Sequence, residues 1–107
     1  MYFQNIPRKT SIQHQNTRSS NGVVTTPGAN HEIVFGTVDA EGKPLSGVVL
    51  NFLEIFADSA DMNVKINDES NSHFIKNGEG KEFSEIQIIK LTIIEAGVDY
   101  HFSGALY

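Results

Sequence analysis

Three side chains near the C-terminus have the types that a hydrolytic triad uses. Asp99, His101 and Ser103 alternate along a stretch whose pattern predicts a β-strand, so they share one face of that strand. A triad requires its three groups to converge on one point. Residues two apart on a strand are separated by about 7 Å, so these side chains cannot all hydrogen-bond to one another. We therefore expect a polar, solvated strand face here and assign no catalytic residue.

Carboxylates gather in two consecutive loops of the chain. Asp58 and Asp61 lie in the first loop, and Asp68 and Glu69 lie in the second, together with several Asn and Ser residues. Calcium takes six to eight oxygen ligands, which the two loops together could supply. Neither loop has the spacing of an EF-hand, and ordinary turns use the same residue types. The sequence therefore favours polar loops without a metal or other cofactor, and calcium binding stays open as the alternative.

The composition excludes several classes of site. The 107 residues include no cysteine, which rules out disulfides, thiolate nucleophiles and cysteine-ligated metal centres. The sequence also lacks a phosphate-binding loop, a dinucleotide fingerprint, a serine-hydrolase elbow and a zinc-protease motif. No apolar run approaches the ~20 residues of a membrane span, and the first residues lack the apolar core of a secretory leader. We expect a protein that is neither an enzyme nor bound to a membrane.

The net charge of −5 is unevenly distributed along the chain. Residues 1–30 contain three basic side chains and no acidic one, so they carry +3. Residues 31–107 contain all 13 acidic side chains and five lysines, so they carry −8. This asymmetry predicts a basic segment that lies on an acidic surface, of its own chain or of a neighbour. Three basic residues are too few for a nucleic-acid site, which typically uses ~6–10 phosphate contacts.

Residues 1–30 have the composition of an extended arm. They are rich in Gln, Asn, Ser and Thr, show no sustained apolar period, and contain Pro7 and Pro27, which disfavour helix. Aromatic residues near a chain end, Tyr107 included, are poor candidates for the domain's own core and good anchors for a partner's pocket. The basic residues of the arm would face the carboxylates of the two acidic loops. We expect the arm to bind neighbouring subunits through these residues: Tyr2, Phe3, Ile6, Arg8, Lys9 and Arg18.

From residue 31 onward the pattern changes to short strands separated by turns. Alternating apolar residues or clusters of β-branched residues mark the segments 31–38, 48–56, 62–66, 74–75, 86–95 and 98–106. Turn-forming residues fill 39–47 and 77–80. Short strands with a turn every 8–12 residues indicate a sandwich or a small barrel. The prediction is an all-β fold, an antiparallel β-sandwich of about six or seven strands over residues 31–107, preceded by the arm 1–30.

Residues 36–49 read GTVDAEGKPLSGVV and match the pattern G-x-V-x-x-x-G-x-P-L-x-G-V. This pattern resembles that of carboxypeptidase-regulatory-like and prealbumin-like β-sandwich domains. Its physical content is two strands, a Gly/Pro turn, and a glycine where the second strand begins. The resemblance implies an immunoglobulin-like (Ig-like) or prealbumin-like sandwich, and it bears on the fold more than on the function.

A second set of segments, about 40 residues in all, is similar to small bacteriophage virion proteins. The segments are VKINDE at 64–69, GEGKEFSEIQI at 78–88, the alternating residues 91–93, and GVDYHFSG at 97–104. In those proteins such strands close the β-sandwich of a capsid, neck, tail or fibre component. The resemblance implies a structural protein located in the virion, and it carries no catalytic residue over to this chain.

Two functions from different classes follow from these observations. The leading hypothesis is a non-enzymatic structural subunit of a bacteriophage particle, a capsid decoration, neck, tail or fibre component that assembles through its N-terminal arm. Its partners would be copies of itself, other virion proteins, or both. The alternative is a recognition module of the same fold that binds a host receptor or glycan through its acidic loops at Asp58, Asp61, Asp68 and Glu69.

Overall fold

A computed structural model describes residues 17–107, and within this range the chain is all β. Eleven strands occur in this part of the chain. Their bounds are β1 Thr17–Ser19, β2 Val24–Thr25, β3 His31–Val34, β4 Gly36–Val38, β5 Pro44–Gly47, β6 Leu50–Ala57, β7 Met62–Ile66, β8 His73–Ile75, β9 Gly80–Ile88, β10 Lys90–Ile93 and β11 Asp99–Ala105.

The strands form two antiparallel sheets and a separate hairpin. The first sheet has the order β1–β11–β6–β9, and β2 also pairs with β11. The second sheet has the order β3–β10–β7–β8, and β4 pairs only with β5. The expected all-β antiparallel sandwich is confirmed. The strand number exceeds six or seven because several predicted strands are divided and because strands also form before residue 31.

The core lies between the two sheets and is built from alternate residues of the inner strands. In β11 the buried residues Tyr100, Phe102 and Gly104 alternate with more exposed ones, as the sequence predicts. The Phe35 ring meets the Phe102 ring edge-on, with centroids 5.5 Å apart. Eight side chains are buried completely or almost so: Leu50, Leu53, Ile55, Met62, Val64, Ile88, Leu91 and Ile93. Full burial of such side chains stabilises the fold by roughly 1.5–3 kcal/mol each.

The predicted faces of β6 need a correction. The alternation assigns Leu50, Phe52 and Phe56 to one face, but Leu50 is buried with Leu53 and Ile55 while the two phenylalanines are only half-buried. The alternation of buried residues in β6 changes phase between Leu50 and Leu53, where the pairing of β6 with β9 is also irregular.

The branched segment 86–95, predicted as one strand, is divided at Ile89 between the two sheets. β9 ends at Ile88 in the first sheet, and β10 begins at Lys90 in the second. Asn67 holds this corner. Its Oδ1 accepts the N–H of Ile89 at 2.8 Å and that of Lys90 at 3.3 Å, and its Nδ2 donates to the carbonyl of Gln87 at 2.8 Å. The backbone N–H of Asn67 also donates to the Lys90 carbonyl.

The start of the sandwich differs from the boundary expected at residue 30. Thr17 pairs with Ala105 and Ser19 with Ser103, so this part of the expected arm is an edge strand of its own chain. Hydrogen bonds from the polar residues of this segment to β11 account for its composition. Ser20 Oγ, for example, accepts the N–H of Phe102 at 3.1 Å. The arm residues Tyr2, Phe3, Ile6, Arg8 and Lys9 lie outside the described range.

The two ends of the sandwich have different contents, and we name each after one residue. The Leu106 end contains the start of β1, the β4–β5 hairpin, the start of β6, the 67–72 loop, the β9–β10 corner and residues 105–107. The Asp58 end contains the start of β11 and the loops 58–61 and 76–79.

Candidate functional site

An apolar groove opens at the Leu106 end. Its volume is about 380 Å³. The lining comes from the β4–β5 hairpin, the segment that enters β6, the last part of β9 and the C-terminus: Pro44, Val49, Leu50, Asn51, Glu85, Ile86, Gln87 and Leu106. Such a volume lies near the lower limit for sites that enclose a small ligand or a few side chains.

The first wall is the β4–β5 hairpin, whose position depends on two paired glycines. Gly36 and Gly47 lie opposite each other in the register. Gly47 has a φ of +67°, and a Cβ there would contact the Phe35 carbonyl and approach the Gly36 Cα to 2.8 Å. Only glycine fits such a close approach at this φ without strain. Gly36 and Gly47 therefore allow the backbone of the β4–β5 hairpin to pack directly against the backbone of Phe35.

The second wall is a distortion near the end of β9. Leu50 pairs with Ile88 and Phe52 with Ser84, so two additional residues of β9 loop out between these pairs. Glu85 has a φ of +61°, a left-handed conformation that costs a non-glycine residue about 1–2 kcal/mol. The distortion leaves Ile86 45% exposed at the groove. Gln87 Nε2 donates to the Gly42 carbonyl at 2.8 Å, which ties this wall to the hairpin.

The third wall is the C-terminus beside Asn51. Asn51 Nδ2 donates to the Tyr107 carbonyl at 3.2 Å, and the Tyr107 N–H donates to Asn51 Oδ1 at 3.0 Å. The Tyr107 ring also meets the Phe52 ring edge-on, with centroids 6.0 Å apart. Continued alternation with Tyr100, Phe102 and Gly104 would bury Leu106, but the strand ends at Ala105 and Leu106 is 40% exposed. These bonds fix the tail in place as part of the groove.

The sequence pattern indicated only some of the residues at the groove. Leu45 belongs to a stretch predicted as a turn, and Ile86 to a stretch predicted as a regular strand. Ile86 and Leu106 are exposed apolar side chains that line the groove, and the exposed residues Leu45 and Tyr107 directly follow lining residues in the chain. The one available signal was Tyr107, which the sequence suggests as a contact residue.

The triad-like side chains have separate partners. His101 Nδ1 lies 2.7 Å from Asp58 Oδ2, and the His101 ring stacks on Phe56 with centroids 4.6 Å apart. Asp99 Oδ1 instead accepts the hydroxyl of Thr25, at 2.5 Å. Ser103 lies opposite Glu54 in the sheet. The His101–Asp58 pair joins two segments far apart in the sequence, so strand spacing alone could not reveal it.

The carboxylates of the first acidic loop stabilise the Asp58 end. Asp58 pairs with His101, and Asp61 Oδ1 accepts the N–H of Asn77 at 2.9 Å. The second loop follows the other end of β7, a strand of five residues that spans about 16 Å. The interpretation that both loops share one calcium site is therefore wrong. Within residues 17–107, no group of three or more His, Asp or Glu side chains could hold a metal ion.

The carboxylates of the second acidic loop also have partners in the same domain. Glu69 Oε1 accepts the N–H of Ile66 and lies 2.8 Å from His73 Nε2. Lys90 Nζ lies 2.6 Å from Asp68 and 3.4 Å from Glu32. The pKa of Lys90 is raised above its ordinary value, chiefly by the hydrogen bond to Asp68.

Arg18 does not reach the acidic loops. Its Nη1 donates to the carbonyl of Thr17 at 2.9 Å, while the side-chain partners of Asp58, Asp68 and Glu69 are His101, Lys90 and His73. Within its own chain Arg18 therefore does not face these carboxylates, and a contact with the carboxylates of a neighbouring subunit stays a prediction. Arg18 lies opposite Gly104 in an edge strand, and that register fixes its place. The described residues include no helix long and apolar enough to cross a membrane.

Comparison with known proteins gives the fold and nothing more specific. No protein-family model and no curated protein matches the chain. Among solved structures, the crystal structure of protein NMB1881 from Neisseria meningitidis is similar, with a TM-score of 0.50 and 15% sequence identity. The similar region covers 84% of this chain and 74% of that protein. At this identity the similarity supports the all-β architecture alone.

Proposed function

We propose that this chain is a non-enzymatic structural subunit of a multi-subunit protein particle, of the bacteriophage virion type that the sequence resemblance implies. Its Leu106 end is the surface that joins a neighbouring subunit. The observation that carries this proposal is the exposure of apolar side chains at one groove: Ile86 and Leu106 line it, and Leu45 and Tyr107 directly follow the lining residues Pro44 and Leu106 in the chain.

The composition of this surface supports association with protein. Burial of apolar surface is favourable by about 25 cal/mol per Å², so apolar side chains grouped on one surface favour contact with a partner. Polar groups lie beside them, namely Asn51, Glu85 and Gln87. An apolar centre with a polar rim is the usual arrangement of a protein–protein interface.

The rigidity of the groove supports the same function. The bond from Gln87 to Gly42 and the pair of bonds between Asn51 and Tyr107 hold its walls in one arrangement. A surface that is already ordered loses little conformational entropy when a partner binds, so more of the contact energy appears as affinity. This suits a subunit that must dock repeatedly in the same geometry.

The proposal is tested with two matched glutamate variants. Leu45→Glu places a charge on the β4–β5 hairpin, next to the lining residue Pro44, and Phe74→Glu places one on the second sheet, at a side chain of similar exposure (66% and 58%). We expect the parent chain and Phe74→Glu to sediment as the same oligomer. We expect the dissociation constant of the Leu45→Glu oligomer to be about tenfold higher or more than that of the parent chain. A charge at a desolvated interface is unfavourable.

Two results would contradict the proposal. One is equal dissociation of the two variants, which would mean that the groove takes no part in association. The other is a parent chain that stays monomeric at every concentration and does not bind other subunits of a particle. Far-UV circular dichroism of each variant checks that the sandwich is still folded.

A further inference from the structure

We propose that the groove binds the N-terminal segment of a second copy of this chain, with the apolar residues Tyr2, Phe3 and Ile6 as anchors. Two copies would exchange these segments reciprocally. This inference rests on the proposed function, because it names the partner and the segment that the interface at the Leu106 end receives.

Thr17, the first residue that the structure describes, lies close to the groove. Thr17 pairs with Ala105, and the next residue of the C-terminal tail, Leu106, lines the groove. Since β1 is antiparallel to β11, Thr17 is the residue of β1 nearest to Leu106. The described part of the chain therefore begins at the end of the molecule where the groove opens, and residues 1–16 are attached there.

The length of the segment is sufficient to reach a neighbouring molecule. Sixteen residues precede Thr17. At about 3.3 Å per residue, they can span up to roughly 50 Å, whereas the longest strand of the sandwich has nine residues. The groove has a volume of about 380 Å³, which is enough for only a few side chains and not for all sixteen residues. The proposal therefore assigns the binding to the three anchors, Tyr2, Phe3 and Ile6.

The chemistry of the segment is complementary to the groove. Tyr2, Phe3 and Ile6 supply apolar side chains of the kind that dominate interface energetics. The only charged side chains in residues 1–16 are Arg8 and Lys9, which give it +2. Residues 17–107 contain six basic and 13 acidic side chains and carry −7, and Glu85 lies in the groove wall. Opposite charges favour the encounter and fix its orientation.

A second copy is the favoured source of the segment because of the position of Thr17 at the Leu106 end. When two copies face each other through their Leu106 ends, Thr17 of each copy lies near the groove of the other, within the roughly 50 Å that sixteen extended residues can span. A twofold arrangement of this kind closes on itself and buries both grooves.

Disulfide trapping tests the source and the position of the segment, since the chain has no cysteine of its own. Gln4→Cys lies between the anchors and is mixed with Lys43→Cys, a residue next to the groove. The matched control is Lys76→Cys, an exposed lysine toward the Asp58 end. We expect oxidation to give about tenfold more disulfide-linked dimer with Lys43→Cys than with Lys76→Cys.

Two outcomes of the trapping overturn the inference. One is an equal yield at the two lysine positions. The other is a Gln4→Cys/Lys43→Cys double variant that, in dilute solution, closes its disulfide within one chain, because the segment would then occupy its own groove.

A charge variant of the full chain separates this inference from the proposed function. Phe3→Asp removes an anchor, and Asn5→Asp adds the same charge at a polar position. We expect only Phe3→Asp to raise the dissociation constant of the oligomer, by about tenfold or more. If Leu45→Glu dissociates the oligomer and Phe3→Asp does not, this inference fails and the proposed function stands. If the parent chain neither self-associates nor binds other subunits of a particle, both fail.

Discussion

Replacement of Asn67 should destabilise the corner between the two sheets and, through it, the groove. The side chain makes three hydrogen bonds, to the backbone of Gln87, Ile89 and Lys90, and one of these is long at 3.3 Å. Each hydrogen bond contributes about 1 kcal/mol net, so Asn67→Gly should lose about 2 kcal/mol of the free energy of unfolding. The backbone of Asn67 has a φ of +59°, which glycine adopts without strain.

Asn67→Ala loses the same hydrogen bonds and also places a Cβ in the left-handed region. That conformation costs about 1–2 kcal/mol for a residue such as alanine, so the total loss should be about 3–4 kcal/mol. The difference between the two variants isolates the backbone term, and the glycine variant isolates the hydrogen bonds. Asn71, exposed in the same loop, provides the control, and Asn71→Ala should change the free energy of unfolding by less than about 0.5 kcal/mol.

Urea denaturation followed by far-UV circular dichroism measures these differences. The protein concentration is kept fixed, because self-association makes apparent stability depend on concentration. A change of Asn67→Gly below about 0.5 kcal/mol would refute the role of the hydrogen bonds at the corner. Equal values for the alanine and glycine variants would refute the cost assigned to the positive φ.

Three further predictions concern other parts of the sandwich. In urea denaturation, Gly47→Ala should lower the free energy of unfolding by about 2 kcal/mol or more, because the φ of Gly47 is +67° and an added Cβ would meet backbone atoms. Gly28→Ala is the control and should have little effect, because an added Cβ there meets no atom. Burial raises the pKa of Tyr100 above the ordinary 10.0, so the unfolded chain loses the phenol proton first and the free energy of unfolding should fall above about pH 10. Urea titrations at several pH values should show a smaller decrease for Tyr100→Phe. A double-mutant cycle on Asp58 and His101, which are partly exposed, should give a coupling of about 0.2–1 kcal/mol, and zero coupling would show that the contact contributes nothing to stability.

The parts of the fold that follow from local alternation were predictable from the sequence. β7 has the predicted bounds, because Met62, Val64 and Ile66 alternate with polar residues and one face is buried. The buried face of β11 was predictable for the same reason. The hairpin was indicated by its turn residues, and Asp39 closes that turn by accepting the N–H groups of Glu41 and Lys43.

The features that shape the groove could not be predicted in the same way, because they depend on contacts between distant segments. The division of segment 86–95 at Ile89 requires Asn67, which lies more than 20 residues earlier. The outward position of Ile86 follows from the left-handed Glu85, a conformation that no glycine marks. The edge strand at Thr17–Ser19 has polar residues and gains its place by pairing with β11.

The mass of the unmodified chain in solution, measured by light scattering across a concentration series, tests the central claim most directly. Association through the Leu106 end, with reciprocal exchange of N-terminal segments, predicts a mass of about twice the 11.8 kDa of one chain, falling toward one chain on dilution. A mass of 11.8 kDa at every concentration would contradict the claim that this end joins copies of the chain.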